Sequence, residues 1–245
     1  MKIVVIGGTG LVGSQVAGLL TDQGHDVVAA SPQSGVDTVT GAGVAEALDG
    51  AQVVVDLSNS PSFTEKDVTR FFTTSTRNLL EAEAAAGVQH HVVVSIVGAD
   101  SLDSGYMRAK VAQERLVRAS EGGWSIVRST QFFEFLRRIA DSATVDGTVR
   151  IAPVAFQPIA SADVARIVAE VAKGDPLRDV VEIAGPDRYR FDEIVRTELD
   201  GDERTVVADP AATYFDATLS DGSLVPAGEA MLGKISYDKW RGRAG

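Results

Sequence analysis

The 245-residue sequence contains no cysteine, so it forms no disulfide and offers no thiolate to a metal. Its three histidines do not make up for this. His90 and His91 are adjacent at the entrance of an apolar run, His25 is distant, and no third ligand is spaced to join them. No metal site is expected, and all three read as surface residues. Basic residues are the minority: 23 Lys and Arg against 34 Asp and Glu give a formal net charge of −11. That balance argues against nucleic acid or an anionic membrane as partner. No apolar run is long enough to span a bilayer, and the apolar start is too short for a signal-peptide core. The expected location is the cytoplasm. Aromatic residues make up only 6% of the chain, whereas Ala, Val and Gly are abundant, as suits a parallel sheet covered by Ala-rich helices. The partner expected is a small-molecule substrate, with the chain a monomer or a homodimer.

The stretch that organises the rest is at the amino terminus. Ile3-Val4-Val5-Ile6 is a short β-branched run and reads as a buried parallel strand. Gly7, Gly10 and Gly13 follow at a spacing of three, and Gly8-Thr9-Gly10-Leu11-Val12-Gly13 fits G-x-G-x-x-G in an overlapping register. Leu11 to Leu20 then carries helical apolar spacing. Strand, glycine turn and helix in that order form the context in which this motif signals a dinucleotide site. Glycines tighten the turn and let backbone N–H groups approach a pyrophosphate at the positive end of the helix. Gly7, Thr9, Gly10, Leu11, Val12 and Gly13 are therefore the expected cofactor contacts, and Gly13 lets helix and strand pack closely.

The first helix is predicted to end near Asp22 with Gly24 as its stop, and Asp26 to Ala30 is the second strand. An NAD pocket usually places a carboxylate at the end of that strand. Here the strand runs into Ala30-Ser31-Pro32-Gln33-Ser34, with no carboxylate to repel a 2′-phosphate and no Arg or Lys to attract one. Ser31, Gln33 and Ser34 can donate to such a phosphate, or form an ordinary polar turn. NADP(H) is favoured and NAD(H) is possible. Val36-Asp37 is predicted as a short third strand, with Asp37 a further candidate cofactor contact. A helix over 43–48 and a strand over 52–57 come next. The loop Ser58-Asn59-Ser60 then falls at the carboxyl edge of the sheet, where ligands bind, and these residues are candidate ribose contacts. Thr69 to Ala86 reads as the longest helix, closed by Gly87, and His91 to Val97 as a buried strand.

Three residues then carry candidate chemistry. Ser95 lies in or at the end of the strand over 91–97. Tyr106 and Lys110 share one face of a predicted helix over 106–120. An ammonium beside a phenol favours the phenolate and lowers its pKa, and a tuned tyrosine passes a proton to or from a carbonyl oxygen. Ser95 can bond the same oxygen, and Lys110 can hold the nicotinamide ribose.

With these residues in place the chain resembles the short-chain dehydrogenase/reductase superfamily. The motifs are Gly7-Gly8-Thr9-Gly10-Leu11-Val12-Gly13, Ser95 and Tyr106-Met107-Arg108-Ala109-Lys110. More narrowly it looks like the atypical, NmrA-like branch of NAD(P)H-binding proteins, through Thr76-Arg77-Asn78-Leu79-Leu80-Glu81-Ala82, Val127-Arg128-Ser129-Thr130-Gln131-Phe132-Phe133, Pro158-Ile159-Ala160-Ser161-Ala162-Asp163-Val164-Ala165 and Ala184-Gly185-Pro186. The resemblance runs to about residue 195. It implies that Tyr106 is the proton donor, that Ser95 positions the carbonyl, and that Lys110 binds ribose and tunes Tyr106. The helix position that holds a relay asparagine in many members holds Phe72 here.

The strand over 124–128 exits into a stretch resembling the family loop that passes the nicotinamide amide. Thr130 and Gln131 are candidates for that contact, and Gln131, Phe132, Phe133 and Phe156 are the substrate-side candidates. Alternate phenylalanines here can also be core packing. Ser161 or Asp163 is expected to cap a helix over 162–171, and Phe191 to Leu199 reads as another helix. Asp209 to Gly233 is expected to form a lid. The whole chain, 1–245, is read as a single doubly wound parallel α/β (Rossmann) domain, with a small substrate lobe from about 131–160 and 186–245. The function expected is an NAD(P)H-dependent oxidoreductase reducing a small carbonyl, quinone or similar apolar acceptor. A non-catalytic NADP(H)-binding sensor and an epimerase-like enzyme are the alternatives.

Overall fold

A computed structural model describes residues 1–242, so the last three residues of the expected 186–245 segment lie outside the described residues. In chain order the elements are β1 (Lys2–Ile6), α1 (Leu11–Asp22), β2 (Asp26–Ala30), α2 (Val44–Leu48), β3 (Val53–Asp56), α3 (Glu65–Ala86), β4 (His90–Ile96), α4 (Gly105–Arg118), β5 (Gly123–Ser129) and α5 (Leu136–Ser142). They continue with β6 (Thr144–Val145), β7 (Thr148–Ile151), β8 (Ala155–Phe156), α6 (Ser161–Lys173), β9 (Val180–Ala184), β10 (Tyr189–Arg190), α7 (Phe191–Glu198) and β11 (Thr205–Ala208). The last are β12 (Thr213–Tyr214), β13 (Ala217–Thr218), β14 (Met231–Leu232) and α8 (Tyr237–Arg241).

The main sheet has seven strands in the order β2-β1-β3-β4-β5-β9-β14. β1 pairs in parallel with both β2 and β3, and β3 with β4. The fold is the doubly wound, Rossmann-like α/β class. The chain turns outward from β1 to β2 and then crosses back to β3. The carboxyl end of β1 is therefore a topological switch point, where sheets of this kind bind ligands.

The described chain divides into two compact units. The first comprises Met1–Ser95, Gly105–Arg128 and Val164–Val181; the second comprises Ile96–Ser104, Ser129–Asp163 and Glu182 onward. In the first unit, Val4 and Ile6 of β1, Val54 of β3, Leu48 of α2 and Leu79 of α3 form one buried cluster. Val93, Val117, Trp124 and Ile126 form another. The parallel strands are apolar on both faces because helices cover both. In the second unit, Phe156 is fully buried and stacked on Phe191 at 4.2 Å, and Phe133 packs on Tyr237 and Trp240 at 5.6 and 5.5 Å.

Several boundaries depart from the sequence expectation. The predicted third strand at Val36-Asp37 is a loop. Asp37 Oδ1 accepts the N–H groups of Val39 and Thr40 at 2.8 and 3.2 Å, and its own N–H donates to the Ala42 carbonyl. Those local bonds compete with strand pairing. Helix α3 starts at Glu65 rather than Thr69, because Thr64 caps it by accepting the Asp67 N–H. The Ser161 hydroxyl donates to Glu134, and Asp163 Oδ2 accepts the N–H groups of Lys234 and Ile235 at 2.7 and 2.8 Å. The segment over 209–233 carries β12, β13 and β14.

Candidate active site

The glycine turn is built as its spacing predicts. Gly7 lies at φ +74°, the left-handed region that favours glycine, and its N–H donates to the Ala30 carbonyl at 2.9 Å. A Cβ on Gly13 would sit 2.2 Å from the Gly7 carbonyl oxygen. Only glycine at 13 allows α1 this close to the turn. Gly10 precedes α1, no side chain caps the helix, and its first turn holds no acidic residue. Thr9, Gly10 and Leu11 are exposed, and Val12 is buried beneath them. The positive end of α1 is thus left to whatever lies over the turn.

After β2, Ser31 is buried, and its Oγ faces the Ser34 N–H in a capping box without a well-formed hydrogen bond. Ser34 Oγ accepts the Ser31 N–H at 2.9 Å, which commits it to the turn, and Gln33 is exposed. The Asp37 carboxylate is likewise committed to its own turn.

At the end of β3 a buried carboxylate organises the next loop. Asp56 Oδ1 accepts the Ser58 N–H at 2.9 Å and the Ser58 hydroxyl at 2.6 Å, while Oδ2 accepts Gln113 Nε2 at 3.0 Å. Asn59 Oδ1 accepts the Ser60 N–H at 2.9 Å and also the Tyr106 hydroxyl at 2.9 Å. Ser60 is buried, and its Oγ accepts the Ser62 N–H at 3.3 Å. A backbone N–H can only donate, so the amide atom shared by Ser60 and Tyr106 is the oxygen, and the phenol is the donor.

Tyr106 and Lys110 do share a helix face, but the expected tuning is absent. Phe72, fully buried, sits between them. Its ring lies edge-on to Tyr106 at 5.9 Å, and Lys110 Nζ lies over it at 4.4 Å. Lys110 is 3% exposed and donates to the Val94 carbonyl at 2.9 Å and to Gln113 Oε1. Burial depresses its ammonium to about 8, although Asp56 and Glu114 favour the charge. Burial also pushes the Tyr106 phenol up to about 12, so it is held protonated rather than drawn toward phenolate. Lys110 is therefore turned into the packed layer. Ser95, 2% exposed, faces the same layer, close to Glu114, and its Oγ makes no well-formed hydrogen bond among the described residues. Glu114 takes a two-pronged bond from Arg128 at 2.9 and 2.8 Å. Burial works against its charge, but Arg128, with Ser95 and Arg118, outweighs it and holds the carboxyl below the usual range.

In the second unit, Thr130 Oγ1 and both polar atoms of Gln131 are buried without partners among the described residues. Phe132 is half-buried and stacked on Phe135 at 5.4 Å. Phe133 and Phe156 correct the sequence expectation: at 1% and 0% exposure they fill the core of this unit and line no open surface.

The histidines also correct it. His90 and His91 are each 2% exposed, not surface residues. His90 Nε2 lies 2.8 Å from Ser125 Oγ, and burial depresses the imidazole to about 4. His91 Nδ1 lies 2.8 Å from Glu83 Oε1; burial disfavours its charge, but Glu83 outweighs that and raises it. Among the described residues no group of three His, Asp or Glu side chains is arranged to hold a metal, and no helix is long and apolar enough to cross a membrane.

Sequence reasoning missed three features: the Asn59–Tyr106 bond, the Asp56–Gln113–Lys110 chain, and Phe63, whose ring lies 5.7 Å from that of Tyr106. The Thr64-Glu65-Lys66-Asp67 capping signature places Phe63 just ahead of a helix start, and was the one available signal.

The model of a family described as NAD(P)H-binding matches residues 7–175. The (4-alkanoyl-5-oxo-2,5-dihydrofuran-3-yl)methyl phosphate reductase of Streptomyces griseus is 34% identical over 184 residues, covering 69% of this chain. This chain spans 61% of the length of that relative. Among solved structures, the dTDP-4-dehydrorhamnose reductase of Bacillus anthracis in complex with NADP superposes with a TM-score of 0.69 at 14% identity, covering 95% of this chain and 94% of that one. The NADPH-dependent quinone oxidoreductase of Escherichia coli complexed with NADPH superposes with a TM-score of 0.62 at 21% identity, covering 84% and 77%. At such identities the likeness is one of fold.

Proposed function

The chain belongs to the NAD(P)H-binding family, and from that premise we propose that it is an NAD(P)H-dependent reductase of the short-chain dehydrogenase/reductase superfamily, in its NmrA-like branch. The acceptor is a small carbonyl, quinone or similar apolar molecule. The residues present fit the cofactor. The turn at Gly7 to Gly13 is a cradle that a Cβ would fill, and α1 opens on it with no side-chain cap. Gly7, Thr9, Gly10, Leu11, Val12 and Gly13 would hold the pyrophosphate there. The Ser31 hydroxyl, whose capping contact is not a well-formed hydrogen bond, and the exposed Gln33 would meet a 2′-phosphate, which favours NADP(H).

When bound, the cofactor supplies the hydride that forms the new C–H bond. Tyr106 transfers its phenolic proton to the substrate oxygen as the C=O π bond breaks, and solvent then reprotonates the phenolate. Ser95 and Lys110 act from the packed layer between β4 and α4 as positioning residues. The similarity to a reductase and to a quinone oxidoreductase supports the reading. The observation that carries it is the Tyr106 hydroxyl, held protonated on the loop that follows β3, at the sheet edge where ligands bind. Tyr106→Phe is expected to lower turnover about 10²–10⁴-fold while NADPH affinity is kept. Unchanged turnover refutes the assignment.

A second reading has a specific observation in its favour. Phe72 isolates Tyr106 from Lys110, so the phenol is untuned, as suits a non-catalytic NADP(H) sensor. A sensor binds NADPH and oxidises none of it against any carbonyl or quinone.

A further inference from the structure

We propose that the cleft between the carboxyl-terminal halves of α3 and α4 is a second ligand site. It takes a small, neutral, mostly apolar molecule whose one hydroxyl group meets His91 Nε2. The site stands apart from the glycine turn and does not depend on the reductase reading.

The cleft has a volume of about 560 Å³, within the range of small-molecule sites. Its lining belongs wholly to the first unit. Leu80, Ala84 and Val88 line it from α3 and the turn that follows, and Leu116 and Ala119 from the end of α4. β1, β3 and β4 run parallel, and His91 is the second residue of β4. The cleft therefore lies toward the amino edge of the sheet, whereas the glycine turn follows the carboxyl end of β1.

His91 forms the buried part of the wall. It is 2% exposed, and its Nδ1 lies 2.8 Å from Glu83 Oε1, itself a lining residue. A carboxylate only accepts, so Nδ1 carries a proton. The other ring nitrogen, Nε2, is buried and has no hydrogen-bond partner among the described residues. A buried polar atom left unmet is costly and rare in folded proteins. On the wall of a cleft it marks where the polar group of a ligand belongs.

The chemistry of the wall narrows the class. With the imidazole neutral, Nε2 accepts; with it charged, Nε2 donates. A hydroxyl group serves both states. The apolar side chains on α3 and α4 suit a hydrocarbon body. An anion is disfavoured, because Glu81 and Glu121 line the cleft and α3 presents its negative end there. A cation gains little at depth, because the buried carboxylate of the lining, Glu83, is already engaged by Nδ1.

The test uses the whole chain and two probes of matched shape, p-cresol and toluene, which differ in the hydroxyl group alone. Proton–nitrogen correlation spectra of the imidazoles resolve the three histidines. Saturating p-cresol is expected to shift Nε2 of His91 and to leave His25 and His90 in place. Calorimetry is expected to show toluene binding about three- to tenfold more weakly than p-cresol. His91→Gln keeps a donor for Glu83 but has no second ring nitrogen, and should remove that difference. Ala84→Trp and Ala119→Trp fill the cleft from exposed positions, and should abolish binding of both probes with Kd for NADPH unchanged. No shift at His91, equal affinity for the two probes, or a p-cresol site that survives both tryptophan variants overturns the proposal. So does an affinity that falls as protein concentration rises, because a second copy of the chain then occupies the cleft. Failure of the reductase reading looks different: no acceptor is reduced, and the His91 shift with p-cresol persists.

Discussion

Two glycines of the same helix should answer alanine with opposite signs. Gly13 and Gly18 both lie in α1, and alanine is favoured over glycine in a helix interior by about 1 kcal/mol. A Cβ at Gly18 meets nothing within 4 Å, so Gly18→Ala should stabilise by close to the full amount. A Cβ at Gly13 would lie 2.2 Å from the Gly7 oxygen, 2.8 Å from the Gly7 carbonyl carbon and 3.0 Å from Gly8 Cα. All three are backbone atoms, so no flexible side chain can give way, and the helix or the turn must move by more than an ångström to restore ordinary contact. Overpacking of this kind costs about 1–3 kcal/mol. The helix-propensity gain is common to both variants and cancels, so their stabilities should differ by about 1–3 kcal/mol, with Gly13→Ala the weaker. Urea unfolding at a shared slope reads this from the midpoints. NADPH titration should show Gly13→Ala binding weakly, because the displaced turn is the pyrophosphate cradle, and Gly18→Ala binding as the parent does. Equal stabilisation by both substitutions would refute the packing argument.

Other consequences follow from buried charge. Arg128→Met strips the 2%-exposed Glu114 carboxylate of its two-pronged partner, leaving Arg118 at 3.4 Å and the nearby Ser95, and should cost about 3–5 kcal/mol in a urea or thermal unfolding experiment. The two histidines should oppose each other in pH dependence. The folded pKa of His90 is depressed from 6.5 to about 4, so it contributes stability above pH 6.5 that is lost as pH falls toward 4, and His90→Asn should flatten that acid limb. The folded pKa of His91 is raised, so its contribution is full below pH 6.5 and is lost as pH rises through the folded value, and His91→Gln should remove that alkaline loss. Stability curves measured from pH 4 to 9 separate the two.

The features legible in the sequence were the locally encoded ones. β1, the glycine turn, α1 and β2 announce themselves through β-branched runs, glycine spacing and helical period, all within thirty residues, and the structure places them as read. Long-range partners carried no such signal. His91 reads as a surface residue until α3 folds back and sets Glu83 against it. Asn59 and Tyr106 are 47 positions apart, and only the neighbouring sheet edge and helix start bring them together. The i, i+4 spacing of Tyr106 and Lys110 was real, but spacing within one helix says nothing of what a second helix inserts, and α3 inserts Phe72. The turn at Asp37 failed as a strand because a short carboxylate can satisfy its own backbone, a competition that an apolar pattern does not register.

The central claim is that the glycine turn at the head of α1 holds a nicotinamide dinucleotide. Calorimetric titration of the purified chain with NADPH and with NADH tests it most directly. Saturable one-site binding of at least one of them, weakened by Gly13→Ala and untouched by Gly18→Ala, is the predicted result. No heat with either dinucleotide, or binding indifferent to Gly13→Ala, would contradict it.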